Sequence, residues 1–270
     1  MTMDYTKITS LSNPHIKEAT AVRERRSRQN RAAFIIEGIH LIEMSIASGA
    51  GIQEVYFTDV FGSREEGQRV LRLIRGKARK LFEVTEQIMK KIADTETPQG
   101  VVAIVTYPSP ELGKLSFKSE PLLVVIDGIQ DPGNLGTIIR TSDAAGADAV
   151  ILLPGTCSAF MPKTIRATAG SIFNLPVTST EESTLLRWLK AHRIPLAVTS
   201  TDAEKSLFDW DLSAAAAIVF GNEARGISET MKMAADLSLR IPIYGKAESL
   251  NVATCAAICL YEAARQRGER

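Results

Sequence analysis

The sequence predicts an α/β protein: a mostly parallel sheet with helices on both faces, preceded by a smaller α/β domain. Three observations lead to this prediction. Apolar runs such as residues 122–126 and 216–220 lack alternating polar residues, which is typical of strands buried on both faces. Strand-like and helix-like segments alternate along the chain. Residues 107–121, rich in proline and serine, have the composition of a linker.

These observations predict three regions: a first domain at residues 1–106, the linker at 107–121 and a second domain at 122–270. Residues 1–106 carry 16 Lys and Arg against 13 Asp and Glu, whereas residues 107–270 carry 16 against 18. No apolar run approaches the roughly 20 residues that cross a bilayer, and the first residues lack an apolar signal-peptide core. Three cysteines without a C-x-x-C pair fit a reducing compartment, so we expect a cytoplasmic protein.

The first domain opens with a helix-start signal, Ser12 or Asn13 before Pro14. The helix that follows is basic, and such a surface is either a solvated charged face or a contact surface for RNA phosphates. We prefer RNA, because a domain ahead of a catalytic module often binds the substrate. The candidate RNA-binding residues are Lys17, Arg23, Arg25, Arg26 and Arg28.

Further alternating elements complete this domain. The predicted strands are residues 34–36, 52–58, 80–84 and 101–105, and the predicted helices are 38–47, 63–76 and 86–93. Thr97-Pro98-Gln99-Gly100 predicts a turn before the last strand, and RNA contact by this turn stays open as an alternative.

The second domain has six predicted strands, with polar loops after several of them. The strands are residues 122–126, 149–153, 176–178, 195–199, 216–220 and 239–243. One helix is predicted to be capped by Asn134 and to contain Arg140, and the others are predicted at 162–169, 181–191 and 252–266. Ser249 or Asn251 can cap the last helix. Ligands of open α/β sheets lie beyond the carboxyl ends of the strands, so we expect a site where these loops meet.

Common nucleotide-binding and hydrolase motifs are absent from the sequence. There is no G-x-x-x-x-G-K-[ST] segment, no G-x-G-x-x-G after residues 122–126, and no G-x-S-x-G. A P-loop enzyme, an ordinary dinucleotide-binding enzyme and an α/β-hydrolase are therefore poorly supported.

Three segments in the second domain carry a family resemblance. N-L-G-T-I-I-R-T at 134–141, G-N-E-A-R-G-I at 221–227 and I-P-I-Y-G-K-A-E-S-L-N-V-A at 241–253 resemble, in order, the three motifs of SpoU-type RNA 2′-O-ribose methyltransferases of the SPOUT superfamily. The pattern around Asn13, Arg25 and Phe34 is similar to the substrate-binding domain attached to many of these enzymes.

The resemblance implies a function and a fold that periodicity cannot show. It implies S-adenosylmethionine bound in a C-terminal trefoil knot, and methyl transfer to a ribose 2′-hydroxyl of RNA. The two-domain layout resembles the ribosomal branch and favours 23S-type ribosomal RNA, with transfer RNA as the alternative. The rival from another class is a catalytically silent RNA-binding or ribosome-assembly protein with the same fold.

The resemblance also implies the site residues. The catalytic candidates are Asn134, Arg140, Glu223, Ser249 and Asn251. The cofactor-binding candidates are Thr199, Ser200, Thr201, Gly221, Ile241 and Leu250. No metal is expected.

Each catalytic candidate also has a structural interpretation. Arg140, the lead for stabilising the developing alkoxide, can instead pair with Asp143 or Glu223. Asn134 and Asn251 can be plain helix caps, and Glu223 can pair with Arg225. The resemblance further implies a homodimer through the C-terminal domain, for which we predict an interface on helix 252–266. Its apolar stripe is Val252, Ala256, Cys259, Leu260 and Ala263.

Overall fold

The computed structural model describes residues 5–24, 33–107, 109–117 and 120–268. Arg25, Arg26 and Arg28 of the predicted RNA-binding cluster lie outside these residues. The chain forms two compact units: Met1–Pro108 with Phe160–Phe173, and Ser109–Ala159 with Asn174–Arg270. Among the described helices, none has the length and apolar character required of a membrane span.

The first unit contains a mixed five-stranded sheet. In chain order its elements are β1 Thr6–Ile8, α1 Pro14–Glu24, β2 Ala33–Glu37, α2 Ile39–Ala47, β3 Gly51–Thr58, α3 Asp59–Ser63, α4 Glu65–Ile74, β4 Lys80–Val84, α5 Glu86–Ile92 and β5 Val101–Thr106. The strand order is β1-β4-β3-β5-β2, and β5 runs antiparallel to both of its neighbours. The sequence did not predict β1 or α3, and the predicted helix at 63–76 corresponds to α4.

Helix α1 follows the predicted start. The Asn13 side chain accepts a hydrogen bond from the amide of His15 at 2.9 Å, and α1 buries Ile16, Ala19 and Val22. The predicted RNA-binding residues Lys17 and Arg23 differ in their surroundings. Lys17 is exposed, whereas the Arg23 guanidinium donates to the carbonyls of Lys91 and Ala93, each at 2.9 Å. Arg23 therefore has a structural role in holding the end of α5, which the sequence did not reveal.

The segment Phe160–Phe173 packs within the first unit, although we predicted one contiguous second domain over 122–270. Its helix α7, Pro162–Thr168, lies against β2. The ring of Phe34 lies 5.0 Å from that of Phe160 and 6.0 Å from that of Phe173, measured between centroids. Aromatic burial explains this packing, because such rings bury large apolar areas.

The second unit contains a seven-stranded sheet. Its elements are β6 Leu122–Asp127, α6 Pro132–Ala144, β7 Ala149–Leu152, β8 Val177–Ser179, α8 Glu182–His192, β9 Leu196–Thr199, β10 Lys205–Ser206, β11 Ala216–Gly221, α9 Glu229–Ala234, β12 Leu237–Arg240 and α10 Val252–Gly268. The strand order is β10-β12-β9-β11-β6-β7-β8, and every pairing is parallel. The parallel sheet is therefore confirmed.

Two details of this sheet differ from the prediction. The sequence did not reveal β10, which is only two residues long. The last strand spans Leu237–Arg240 and not residues 239–243, because Pro242 has no amide to donate to a ladder. Residues 241–249 consequently form a loop at the carboxyl end of β12.

Helix α10 packs against α6 and β11 within its own unit. Ala256, Cys259, Leu260 and Ala263 are 0% exposed in the single chain. The prediction that this stripe lies at a dimer interface is therefore wrong for these four residues, because helix periodicity shows that a face is buried but not what covers it. The side chains of Thr254 and Tyr261 lie on the exposed side of the helix.

Candidate functional site

The central strands of the second unit bring two polar loops together. β6 and β11 are neighbours in the sheet, with Asp127 opposite Gly221 at their carboxyl ends. From β6 the chain continues to β7 and β8 on one side, and it returns to β9 and β11 on the other. This reversal of strand order is the position where open α/β sheets bind ligands.

Helix α6 begins beside this position. Its cap is Asp131, whose carboxylate accepts a hydrogen bond from the Asn134 amide at 2.9 Å, and Pro132 occupies the first turn. The prediction that Asn134 caps the helix is therefore wrong. Aspartate and asparagine cap equally well, and the proline after Asp131 marks the true start. The Asn134 side chain is consequently free for other partners.

A chain of hydrogen bonds joins three distant segments. Asn251 Nδ2 donates to Asn134 Oδ1 at 3.1 Å, and Asn134 Nδ2 donates to Glu223 Oε1 at 2.9 Å. Helix α10 orients the side-chain amide of Asn251, because Asn251 Oδ1 accepts hydrogen bonds from the backbone amides of Ala253 and Thr254. Asn251 is thus both the helix cap and a donor to Asn134.

The Glu223 carboxylate is held by donors. Besides Asn134, the amide of Gln130 donates to Glu223 Oε2 at 3.4 Å. Partial burial is the largest influence and opposes ionisation, but the hydrogen bonds from Asn134 and from the backbone outweigh it and lower the pKa of Glu223. The carboxylate is therefore ionised at neutral pH and is a weak base, which suits it to accept hydrogen bonds from an organising residue or a ligand. Among the described residues, the Glu223 carboxylate forms no ion pair with Arg140 or Arg225.

The loop after β11 is organised by residues that the sequence analysis did not select. Asn222 Nδ2 donates to the Gly128 carbonyl at 2.7 Å, and Asn222 Oδ1 accepts from the amides of Ala224 and Arg225, both at 2.9 Å. The buried Asp127 carboxylate accepts from the Ser228 amide at 2.7 Å. The sequence contained a signal for each residue: Asn222 lies inside the second motif, and Asp127 ends a buried strand.

Two catalytic candidates are not joined to this network. Arg140 is exposed, and within the described part of the chain its guanidinium makes no hydrogen bond or ion pair. It lies six residues after Asn134, about 9 Å along α6 at 1.5 Å per residue. Ser249 is exposed and also lacks a hydrogen-bond partner among the described residues.

The cofactor-binding candidates collect at the same edge of the sheet. Thr199 ends β9 and Gly221 ends β11, while Ile241 follows β12. Ser200 and Thr201 directly follow Thr199, and Leu250 precedes Asn251. Ile241 and Leu250 are half-buried, so each offers apolar surface at this edge.

The loop before Leu250 leaves its backbone open. In the described structure the amides and carbonyls of residues 243–249 make no hydrogen bond to other parts of the chain. These groups can bind the polar edge of a ligand that rests on Ile241 and Leu250. Among the described residues, no group of three or more His, Cys, Asp and Glu side chains is arranged to hold a metal ion.

Two family profiles match the chain. The profile of the SpoU rRNA Methylase family matches residues 121–261, which contain the hydrogen-bonded asparagines and Glu223. The profile of the MRM3-like substrate binding domain matches residues 13–103.

Similar proteins match over nearly their full length. The 23S rRNA (guanosine(2553)-2′-O)-methyltransferase RlmP of Bacillus subtilis is 33% identical over 94% of this chain and 98% of its own. The 23S rRNA (uridine(2479)-2′-O)-methyltransferase of Streptomyces viridochromogenes is 30% identical over 97% of this chain and 92% of its own. The crystal structure of the SpoU methyltransferase AviRb from Streptomyces viridochromogenes, in complex with the cofactor AdoMet, superposes with a TM-score of 0.87 at 27% identity, covering 94% of this chain and 98% of that one.

Proposed function

The chain belongs to the SpoU rRNA methylase family and is an S-adenosylmethionine-dependent RNA methyltransferase, and we propose that its substrate is a ribose 2′-hydroxyl of 23S-type ribosomal RNA. The observation that carries this proposal is the chain of hydrogen bonds from Asn251 through Asn134 to Glu223. The members of each bonded pair are 117 and 89 residues apart in sequence, and each comes from a different motif. A protein without this chemistry has no need to assemble them beside one strand-order reversal.

The residues at the sheet edge fit the methyl donor. S-adenosylmethionine supplies an electrophilic methyl group when it is bound. We assign its adenine to the surface between Ile241 and Leu250, where the unbonded backbone groups of residues 243–249 meet its polar edge. Thr199, Ser200, Thr201 and Gly221 complete this side of the site. Because backbone groups make many of these contacts, exchanges of side chains in the loop are expected to have small effects.

The polar network positions the acceptor. We assign Glu223, oriented by Asn134, to accept a hydrogen bond from the ribose, and Ser249 to the same face. Alignment of the hydroxyl with the methyl group lowers the barrier by reducing the entropy that the reaction must lose. Arg140 stabilises the alkoxide that develops as the hydroxyl proton leaves to water, since a guanidinium keeps its positive charge and is a poor base.

We further propose that the chain from β11 to α10 forms the trefoil knot. β11 lies between β9 and β6, although it follows both in sequence. The end of α10 returns to the start of the unit: the Arg267 guanidinium donates to the carbonyls of Glu120, Leu212 and Ala214, at 2.6, 2.9 and 2.6 Å. These contacts fix the end of α10 to the segments that directly precede β6 and β11. Since the proposed substrate is ribosomal RNA, we place the protein in the cytoplasm.

A homodimer is proposed through the face of α10 opposite the buried stripe. Tyr261 is 56% exposed on this face, so a large ring is available to a second protomer. Arg140, which has no hydrogen bond or ion pair among the described residues, is available to a site completed by the second protomer.

We expect Tyr261→Arg to shift the protein from dimer to monomer, because two new charges would face each other across a symmetric interface. Sedimentation velocity measures this change. Leu73→Arg, at an exposed apolar residue of α4, is the matched control and should leave the mass unchanged. An unchanged dimer in Tyr261→Arg would place the interface elsewhere.

Substitution of Asn251 separates capping from positioning. Asn251→Ala removes both, and we expect the free energy of unfolding to fall by about 1 kcal/mol, together with a slower methyl transfer. Asn251→Asp keeps the oxygen that caps α10 but loses the amide that donates to Asn134. It should therefore retain stability and still lose transfer rate. Urea denaturation measures stability, and single-turnover kinetics measure the transfer rate. If Asn251→Asp transfers the methyl group at the wild-type rate, orientation of Asn134 by Asn251 has no part in the mechanism.

The function itself is tested by two measurements on the full chain. Calorimetric titration with S-adenosylmethionine should give saturable binding. Transfer of a radiolabelled methyl group should be greater to 23S ribosomal RNA than to transfer RNA, and alkaline digestion should leave the modified linkage uncut because its 2′-oxygen is blocked. Binding without transfer to either RNA would favour the silent RNA-binding protein.

A further inference from the structure

The first unit contains a cavity that the methyl-transfer site does not use. Its volume is about 420 Å³, within the range of about 300–1,000 Å³ that is usual for small-molecule sites. It lies between the start of α2 and the α3–α4 segment, beside the loop before β5. The residues that matter for its chemistry are Ile39, Phe61, Arg64, Glu66, Arg69 and Gln99.

The position of Gln99 in this cavity is determined by the backbone. Gln99 Oε1 accepts a hydrogen bond from the Ile39 amide at 3.3 Å. Gly38 has a φ of 92°, and a Cβ atom there would lie 2.8 Å from Gln99 Oε1. A glycine is therefore required for Gln99 to reach the start of α2. The side-chain amide nitrogen of Gln99 has no acceptor among the described residues, so it is available as a donor.

The lining combines apolar surface with both kinds of hydrogen-bonding group. Ile39 and Phe61 supply the apolar surface. Arg64 and Glu66 are exposed, and neither side chain has a hydrogen bond or ion pair within the described residues. Arg69, in contrast, is paired with Glu43. The cavity thus presents free donors and a free acceptor around an apolar wall.

This chemistry distinguishes between ligand classes. The formal charges of the lining balance, because Arg64 and Arg69 accompany Glu43 and Glu66, so an isolated phosphate gains no net attraction from the cavity. A nucleobase has flat apolar faces and an edge with both donors and acceptors, which matches the lining. Proteins read RNA sequence mostly at unpaired bases that are splayed out and held on side chains.

We propose that this cavity holds one base extruded from the RNA substrate, with Arg64 on the neighbouring phosphate and Gln99 and Glu66 on the edge of the base. The proposal rests on the proposed function, from which it takes the RNA. It gives the first unit a role in sequence reading, in addition to the phosphate contact that the sequence predicts near α1.

Three variants test this cavity. Arg64→Ala and Gln99→Ala remove the donors, and Ile39→Trp fills the cavity without a change of charge. Each should raise the dissociation constant for a 23S ribosomal RNA transcript by about tenfold, the effect of losing one good contact. The rate at saturating RNA and the affinity for S-adenosylmethionine should not change, because the second unit is untouched. Circular dichroism checks that each variant is folded.

Arg72→Ala is the matched control for charge. Arg72 is an exposed arginine of α4 outside the cavity lining, so its loss should change the dissociation constant less than twofold. Equal weakening by Arg64→Ala and Arg72→Ala, combined with no weakening by Ile39→Trp, would show a diffuse electrostatic effect and overturn the proposal. Wild-type affinity in all three cavity variants would overturn it as well.

Chemical probing of the transcript gives an independent readout. Acylation of RNA 2′-hydroxyls should reveal one nucleotide, distinct from the methylated one, that becomes reactive with wild-type protein and stays unreactive with saturating Gln99→Ala. An identical pattern with both proteins contradicts the proposal. A failure of the proposed function is distinguishable, because methyl transfer would then be absent in the wild type.

Discussion

Arg140→Ala should reduce the single-turnover rate of methyl transfer by about 10²–10³-fold, the usual effect of removing one group that stabilises a developing negative charge. The affinity for S-adenosylmethionine should stay at the wild-type value. Arg140 is exposed and has no hydrogen-bond partner among the described residues, so its removal disturbs no part of the donor side. The rate is measured with saturating enzyme and radiolabelled methyl donor.

Arg140→Lys is the control that separates charge from geometry. Lysine keeps the positive charge but lacks the planar fork that binds a phosphate or ribose oxygen at two points. We expect a rate between those of the wild type and Arg140→Ala. If Arg140→Ala methylates RNA at the wild-type rate with unchanged RNA affinity, the assigned mechanism is wrong even though the family is right.

Gly221→Ala should lower the affinity for S-adenosylmethionine at least tenfold. A Cβ atom at this position would lie 2.5 Å from the carbonyl carbon of Gly226 and from the nitrogen of Ile227. Both are backbone atoms, and the amide and carbonyl of Asn222 are hydrogen-bonded to Gly226, so the loop has to move as a unit. The displacement would carry Asn222 and Glu223 away from their partners.

The same substitution should lower the free energy of unfolding by about 1–3 kcal/mol, because overpacking costs this much in a buried element. Calorimetric titration and urea denaturation measure the two effects. Gly113→Ala is the matched control, since a Cβ atom there meets nothing within 4 Å. Wild-type binding by Gly221→Ala would show that the loop adapts without cost, and Gly221 would lose its assigned place at the donor site.

The reason for Gly221 illustrates how sequence and structure differ in what they reveal. The family resemblance gives this glycine only as a cofactor-binding candidate. In the structure, the atoms that approach it belong to its own loop. The position of the glycine was readable from the motif, but the identity of its neighbour depends on how the loop folds back.

Helix capping shows a similar division. The sequence left Ser249 and Asn251 as alternative caps of the last helix, and the structure shows that Asn251 is the cap. It misplaced the cap of α6 at Asn134, because Asp131 three residues earlier has the same capping ability. The correction matters for function, since an Asn134 side chain engaged in capping would not be free to join Asn251 to Glu223.

The sequence by itself determined the α/β class, the parallel sheet and the family. Runs of apolar residues indicate strands buried on both faces, and three ordered motifs indicate the chemistry; the family profiles confirm the resemblance. Only the tertiary structure decided which polar residues meet, which face of α10 is already covered, and that Phe160–Phe173 packs with the first unit. The physical reason is that periodicity and local propensity report on one element at a time. Contacts between residues about a hundred positions apart depend on strand order, which local patterns do not encode.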